Sequence, residues 1–409
     1  MFRHFLKPIK KFRQTYLPGI VTGSADDDPS AISTYSVVGA TTGFSQLWLL
    51  LISTPLLIAI QRMSAQIGDV THKGITTLLK QHYGSKVALS GVLALIVANV
   101  LTICADVVGM TAGFQLLTGE NYLYFIIPVI ILLWYIIVFD NYKHIARYFF
   151  WFSGILLAYV LSGILAKPDW LAVLKSFFLP HPTFNLGYVC GGLGLLGVTF
   201  SPYAFFWQTE EEIEERHDAR SLKKTNRAIA LGFIWSNLIA FFIMVASASA
   251  ILNPDVNLLT IKDIAQALRP AAGAWAPKLF GLGLIGSGIL AIPILATSSA
   301  YAVAEFFRWR QGLDAKPKRA KGFYGIISFS FLLCLAILAF RPNPIRLMFF
   351  SQVLVGAITP LLIFFLLKLA SNKKIMGGYR PHWLSLTAGW LTIAILLAGD
   401  IFLIYYLLV

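Results

Sequence analysis

Three consecutive carboxylates, Asp26, Asp27 and Asp28, sit midway along residues 17–40, a stretch otherwise apolar enough to cross a bilayer, and Pro29 follows at once. A proline lacks a backbone donor and clashes with the preceding turn, so the helix should break here. At membrane depth the freed carbonyls survive only where they line a protein cavity or coordinate something. Charge beside broken backbone is the pattern of an ion site in a secondary transporter. A plainer reading has a helix that starts at Pro29 under an Asp28 cap, which leaves the apolar residues 17–23 unexplained. Two further polar groups, Asn99 and Asp106, interrupt a long apolar run. Their seven-residue spacing is two helical turns, so they share a face. Asp106 is either a functional acid or a buried tie between helices.

The elements that must position these groups are membrane helices. Hydrophobic residues make up 57% of the 409 and charged residues 13%, with a mean hydropathy of +0.72. This excludes a soluble domain and predicts an all-α polytopic membrane protein. Eleven spans are expected, at 17–41, 45–67, 87–117, 122–139, 148–166, 186–207, 228–251, 274–307, 323–340, 345–369 and 383–407. The net charge of +14 suggests a nucleic-acid binder until its distribution is examined. With the N-terminus inside, 26 of the 33 Lys and Arg fall in inner segments. That asymmetry orients a membrane protein, N-terminus cytoplasmic and C-terminus outside, and argues against nucleic acid. Residues 1–16 read as a cytoplasmic leader, because no small-residue cleavage site follows them. Cys104, Cys190 and Cys334 all fall inside spans, so neither a disulfide framework nor a thiolate metal cluster is indicated.

The sixth span repeats the oddity of the first. Its run GYVCGGLGLLGVTFSPYAFFWQTEEE carries five glycines before Ser201–Pro202. Matching interruptions at the head of two groups of five helices point to inverted repeats with a site between them. The chain is therefore read as one transmembrane domain: first repeat 17–166, second 186–369, and an extra helix 383–407. Residues 167–185, with three prolines, read as an external loop between the halves. Residues 62–86 read as a cytoplasmic connection with Gly68, Gly74 and Gly84 as breakers. Residues 208–227 hold five Glu and then five basic residues. They read as a solvated, self-neutralising helix or, alternatively, as an acidic mouth that concentrates cations. Ser351, Gln352 and Thr359–Pro360 make helix 10 polar enough to touch a central cavity, and Asp400 should lie near the outer interface.

PG at 18–19, DP at 28–29, MSAQIGDVTHKGITTLLKQHYG at 63–84, GLLGVTFSPY at 194–203, LFGLGLIGSG at 279–288 and SQVLVGAITPLLIFFLL at 351–367 occur in this order. With Met376–Gly377 after them, they resemble the NRAMP family of divalent-metal transporters over nearly the whole chain. The resemblance implies the leucine-transporter-like (amino acid–polyamine–organocation) fold, with broken helices 1 and 6. The family's helix 1 motif is Asp-Pro-Gly-Asn, its Asp and Asn both binding metal; here Asp28 remains, but Ser30 and Ala31 replace the Gly and Asn. Its helix 6 Met-Pro-His becomes Ser201, Pro202 and Tyr203, and its second helix 6 His falls at Gln208. Its helix 3 proton path Glu-x6-Asp-x2-Glu becomes Asn99, Asp106 and Gly109.

Loss of the sulfur ligand removes selection for softer ions, while oxygen ligands suit Mg²⁺. Mg²⁺ dehydrates reluctantly and is held by one or two carboxylates through retained waters, for which small Ser30, Ala31 and Ser201 leave room. These departures resemble the NRAMP-related magnesium transporter branch. The expected metal site is Asp28 with Ser201, the carbonyls of Ala25 and Val198, and Ser30 and Ala31. Asp26, Asp27, Tyr203 and Gln352 stand at its periphery, and Asp106 and Asn99 on a proton or polar path. The expected activity is uptake of Mg²⁺, with Mn²⁺ a second cargo, through the plasma (inner) membrane with weak or absent proton coupling. The alternatives are a proton-coupled Mn²⁺/Fe²⁺ symporter, or a carrier of an organic cation or amino acid. No cofactor beyond the transported ion is expected, no enzyme activity, and no partner besides the ion and the lipid bilayer.

Overall fold

The computed structural model describes residues 23, 26–139, 156–183, 185–215, 222–251, 255–256, 259–313 and 315–408. Among them the secondary structure is all helical. The principal helices are α1 (Pro29–Thr42), α2 (Leu47–Thr71), α3 (Ile75–Tyr83), α4 (Ser85–Thr118), α5 (Leu123–Phe139) and α6 (Leu186–Thr199). They continue with α7 (Pro202–Glu215), α8 (Leu222–Ala250), α9 (Ala276–Phe307), α10 (Lys321–Leu338), α11 (Pro344–Ser371) and α12 (Trp383–Leu408).

Among the described residues eight helices are long and apolar enough to cross a membrane, with α6 and α7 counted as one, and a ninth arises if a bent pair is a single span. Of the other expected spans, 122–139 is the shorter apolar helix α5. Span 148–166 is described only from Leu156, and residues 17–22 and the leader lie outside the described residues. The full count of eleven is therefore not reproduced.

Both breaks are present. Gly23 is helical, Asp26–Asp28 are not, and α1 starts at Pro29. The proline occupies a position whose N–H would be unpaired anyway, and Asp28 caps the helix by accepting from Ala31 N at 2.7 Å. In the second repeat, α6 stops at Thr199, Ser201 is non-helical, and α7 restarts on Pro202. The two broken spans lie at the centre: 94% of the apolar window of 186–214 is buried, against 17% for α12, which faces outward.

Glycines set the crossings around them. A Cβ on Gly39 of α1 would lie 2.5 Å from the Met244 carbonyl of α8. On Gly113 of α4 it would lie 2.6 Å from Gly281 O of α9, and on Gly197 of α6 it would strike Gln352 O of α11. Without a hydrophobic drive between helices in lipid, such backbone approach is what gives the bundle its packing.

Three connections differ from the sequence reading. Residues 167–185 contain a helix, Trp170–Phe178, whose start Asp169 caps with bonds to Leu171 N and Ala172 N. This helix meets Leu156–Leu165 at 118°. Gly68 breaks nothing: α2 runs through it to Thr71, and its bare Cα lets Thr209 of α7 approach. Glu210 and Glu212 are buried rather than solvated, because α7 packs its acidic end against α2 and α9; Arg216 and Arg220 lie outside the described residues.

The crossing of α6 with α11 leaves no room for a methyl group. Gly197→Ala should destabilise the protein in detergent by the ~1–3 kcal/mol typical of overpacking, read as a lower melting temperature. Gly325→Ala on α10, where a Cβ meets nothing within 4 Å, should be neutral or stabilising. Equal melting temperatures for the two variants would contradict the packing.

Candidate functional site

The site grows from the cap of α1. Asp28 Oδ1 accepts from Ala31 N and from Ser30 Oγ, both at 2.7 Å. The positive end of a helix and two short hydrogen bonds hold this carboxylate at the break. Both of these hydrogen bonds fall on the same oxygen. Ser30 reaches a second acid as well: its backbone N donates to Asp106 Oδ1 at 3.0 Å. One serine thus joins the acid of the break to the acid of α4. Asp106 ties α4 to α1, and its Oδ2 is buried with no hydrogen-bond partner among the described residues.

Gln352 of α11 closes the constellation, its amide donating to Ser30 Oγ at 2.8 Å and to Thr102 Oγ1 at 3.5 Å. Asn99 is buried on the same helix as Asp106 but partners elsewhere: its amide donates to Leu295 O (3.2 Å) and Ser299 Oγ (2.9 Å) of α9. The shared face of α4 therefore meets two neighbours, with Asp106 on α1 and Asn99 on α9.

The three consecutive acids diverge. Asp27 turns to α8, where Ser236 Oγ donates to its Oδ1 at 3.0 Å; its Oδ2 and Asp26 Oδ1 are buried without partners among the described residues. No three His, Cys, Asp or Glu side chains among the described residues form a ready metal cage. Across the site, the Ser201 hydroxyl donates to Val198 O at 2.6 Å, and Phe200 N also reaches that carbonyl. Val198 O thus serves the break itself, and no hydrogen bond joins Ser201 to Asp28 among the described residues. Tyr203 is buried on α7 in an apolar cluster shared with α4, α9 and α10. Ala25 lies outside the described residues.

Asp26, Asp27, Asp28 and Asp106 are each at most 3% exposed, and none is paired with Lys, Arg or His among the described residues. Burying one unpaired carboxylate costs several kcal/mol, so this concentration of acid favours a cation. Sequence reasoning missed Ser236 and Thr102. Thr102 stands one turn from Asp106, so helical spacing held that signal, whereas nothing local pairs Ser236 with residue 27. Gly109 also has a packing cause: a Cβ there would lie 2.6 Å from Pro29 Cβ and 2.9 Å from Met348 Sδ. The second glutamate of the family pattern has no space where α4 meets α1.

A helical bundle with two proline-broken spans, α6 packed against α1, and a buried carboxylate at the first break is the architecture of a multi-pass membrane transporter of the leucine-transporter-like class. The chain belongs to the natural resistance-associated macrophage protein-like (Nramp) family, whose model matches residues 19–406. It is a transporter of that family and not an enzyme. It is 26% identical to the divalent metal cation transporter MntH of Bacillus subtilis, over 95% of this chain and 91% of that protein. A mutant of the manganese transporter of Eremococcus coleocola superposes with a TM-score of 0.76 at 18% identity, over 95% of this chain and 86% of the other. MhsT in complex with L-phenylalanine shares the fold at a TM-score of 0.63 and 15% identity, over 94% and 98% of the two chains.

Restoring the missing acid tests the packing at α4. Gly109→Glu should lose the monodisperse peak on size exclusion, and Gly109→Ala should melt lower than the parent. A Gly109→Glu protein with the parent's melting temperature would show that α1 and α4 do not meet as described.

Proposed function

We propose that the chain takes up divalent metal cations by alternating access, with Mg²⁺ as its main cargo, Mn²⁺ as a second, and little or no proton coupling. The observation that carries this reading is the buried Asp28 carboxylate, held at the break by its own helix cap through one oxygen. The metal is cargo, not a cofactor. The proposed ligand set is Asp28, directly or through water, with Ser201, the Ala25 and Val198 carbonyls, and Ser30 and Ala31 around the ion. Asp26, Asp27, Tyr203 and Gln352 supply charge and polarity at the periphery. Mg²⁺ is favoured by an all-oxygen site with a single central carboxylate and small neighbours that leave room for waters.

The two halves, 17–166 and 186–369, are proposed as inverted repeats that rock about this site, with 383–407 as an appended helix. The charge asymmetry supports placement in the plasma membrane with the N-terminus cytoplasmic and the C-terminus outside. Proton-coupled Mn²⁺ uptake is the competing reading. It is favoured by the relatives named for manganese and by the bond that links Asp106 to Ser30. Against it, Asn99 and Gly109 cannot relay protons near neutral pH.

In proteoliposomes, Asp28→Ala should reduce Mg²⁺ and Mn²⁺ flux by more than the ~10–100-fold that losing an outer-shell partner costs. Millimolar Mg²⁺ should compete with Mn²⁺, and an internal pH dye should stay flat during metal entry. Micromolar Mn²⁺ uptake indifferent to millimolar Mg²⁺, with acidification, would establish the competing reading instead.

A further inference from the structure

The hydrogen bonds around Ser30 have one polarity. Thr102 gives its proton to the Ala98 carbonyl at 3.1 Å, so towards Gln352 its oxygen can only accept. The end of Gln352 that faces both Thr102 and Ser30 is therefore its NH₂. Ser30 Oγ in turn must accept from Gln352, and its single proton goes to Asp28 Oδ1, 2.7 Å away. Ala31 N takes the same oxygen at the same distance. An oxygen already accepting two short donors is a poor third partner for a cation, while Oδ2 carries neither bond.

We infer from this that Ser30 is a specificity-determining residue: by occupying Oδ1, under orientation by Gln352, it makes Asp28 a one-oxygen ligand and selects a cation that keeps its water shell. Mg²⁺, which gives up water reluctantly, accepts such a site. An ion that profits from a second protein oxygen is disfavoured. The inference rests on the proposed divalent-cation site at Asp28 and adds what sets its selectivity. It also assigns a cause to serine at this position, where the family motif has glycine and the carboxylate lacks a hydroxyl partner from that residue.

Ser30→Ala removes the hydroxyl from Asp28 and leaves the Gln352 amide only its longer bond to Thr102. The link to Asp106 uses the backbone N of residue 30 and the cap uses that of Ala31, so both survive. Alanine is the best helix former, and removing one oxygen from a fully buried position creates no clash. Ser30→Gly and Gln352→Leu serve as further variants, the latter leaving the hydroxyl free to turn away from Asp28.

The experiment loads the purified full chain with Mn²⁺ as a spectroscopic probe. Pulsed electron paramagnetic resonance in deuterated water counts exchangeable waters on the ion, and Mg²⁺ competition gives the affinity ratio. In Ser30→Ala the bound Mn²⁺ should carry fewer waters than in the parent. The Mn²⁺-to-Mg²⁺ affinity ratio should rise about tenfold, the worth of one hydrogen bond to a charged group. Ser30→Gly should behave alike, and Gln352→Leu should move the ratio the same way by less. Equal water counts and an unchanged ratio would overturn the role of Ser30 while leaving the site at Asp28 standing. Failure of either ion to bind the parent and Ser30→Ala would remove the site itself, and this inference with it.

Discussion

A carboxylate cannot be held at the centre of a bilayer without a compensating partner, and this chain buries Asp26, Asp27 and Asp28 at the first break and Asp106 on α4. Asp28 is stabilised by the cap of its own helix, Asp106 by the backbone of Ser30, and Asp27 by Ser236. None of these partners is a cation, so hydrogen bonds offset only part of the desolvation cost. The remainder of the architecture follows from that imbalance. The first span must be unwound so that its amides can face an acid. The second broken span packs against the first, and glycine crossings bring α6 and α11 into backbone contact beside them.

Much of this was legible in the chain because proline and charge are local signals. The Asp-Pro step fixed the start of α1, and both interruptions were marked by residues whose backbone chemistry forbids continuous helix. The acids at 26 and 27 were visible as charge, but their divergence was not. Consecutive residues around an unwound turn point in different directions, and only the fold brings Ser236, more than two hundred residues on, to meet Asp27. The acidic run after Gln208 misled for a related reason. A string of glutamates reads as solvated by composition, yet Glu210 and Glu212 are buried because α7 carries them inward. Residues 170–178 were hidden by neighbouring prolines, although Asp169 followed by an apolar run is itself a cap signal.

The departures from the family pattern form one physical unit rather than scattered losses. Glycine at 109 lets α4 close on Pro29, which removes space for an acid there. Serine at 30 then joins Asp106 by its backbone and Asp28 by its side chain, so two carboxylates are arranged by one residue. Serine at 201 removes the thioether and spends its proton on the helix break. The changes at 109 and 201 exchange a side chain that could move protons or bind metal for one that shapes the backbone, while serine at 30 adds a hydroxyl where the family motif has glycine. On the reading proposed above, a site built this way would hold its ion through one carboxylate, backbone oxygens and water.

The most direct measurement is the position of the ion itself. Diffraction from Mn²⁺-soaked crystals at the manganese absorption edge should give one anomalous peak beside Asp28, facing its Oδ2 and between the breaks at 26–28 and 200–201, and Asp28→Ala crystals should lack it. A peak elsewhere in the bundle, or one that persists in Asp28→Ala, would contradict the account.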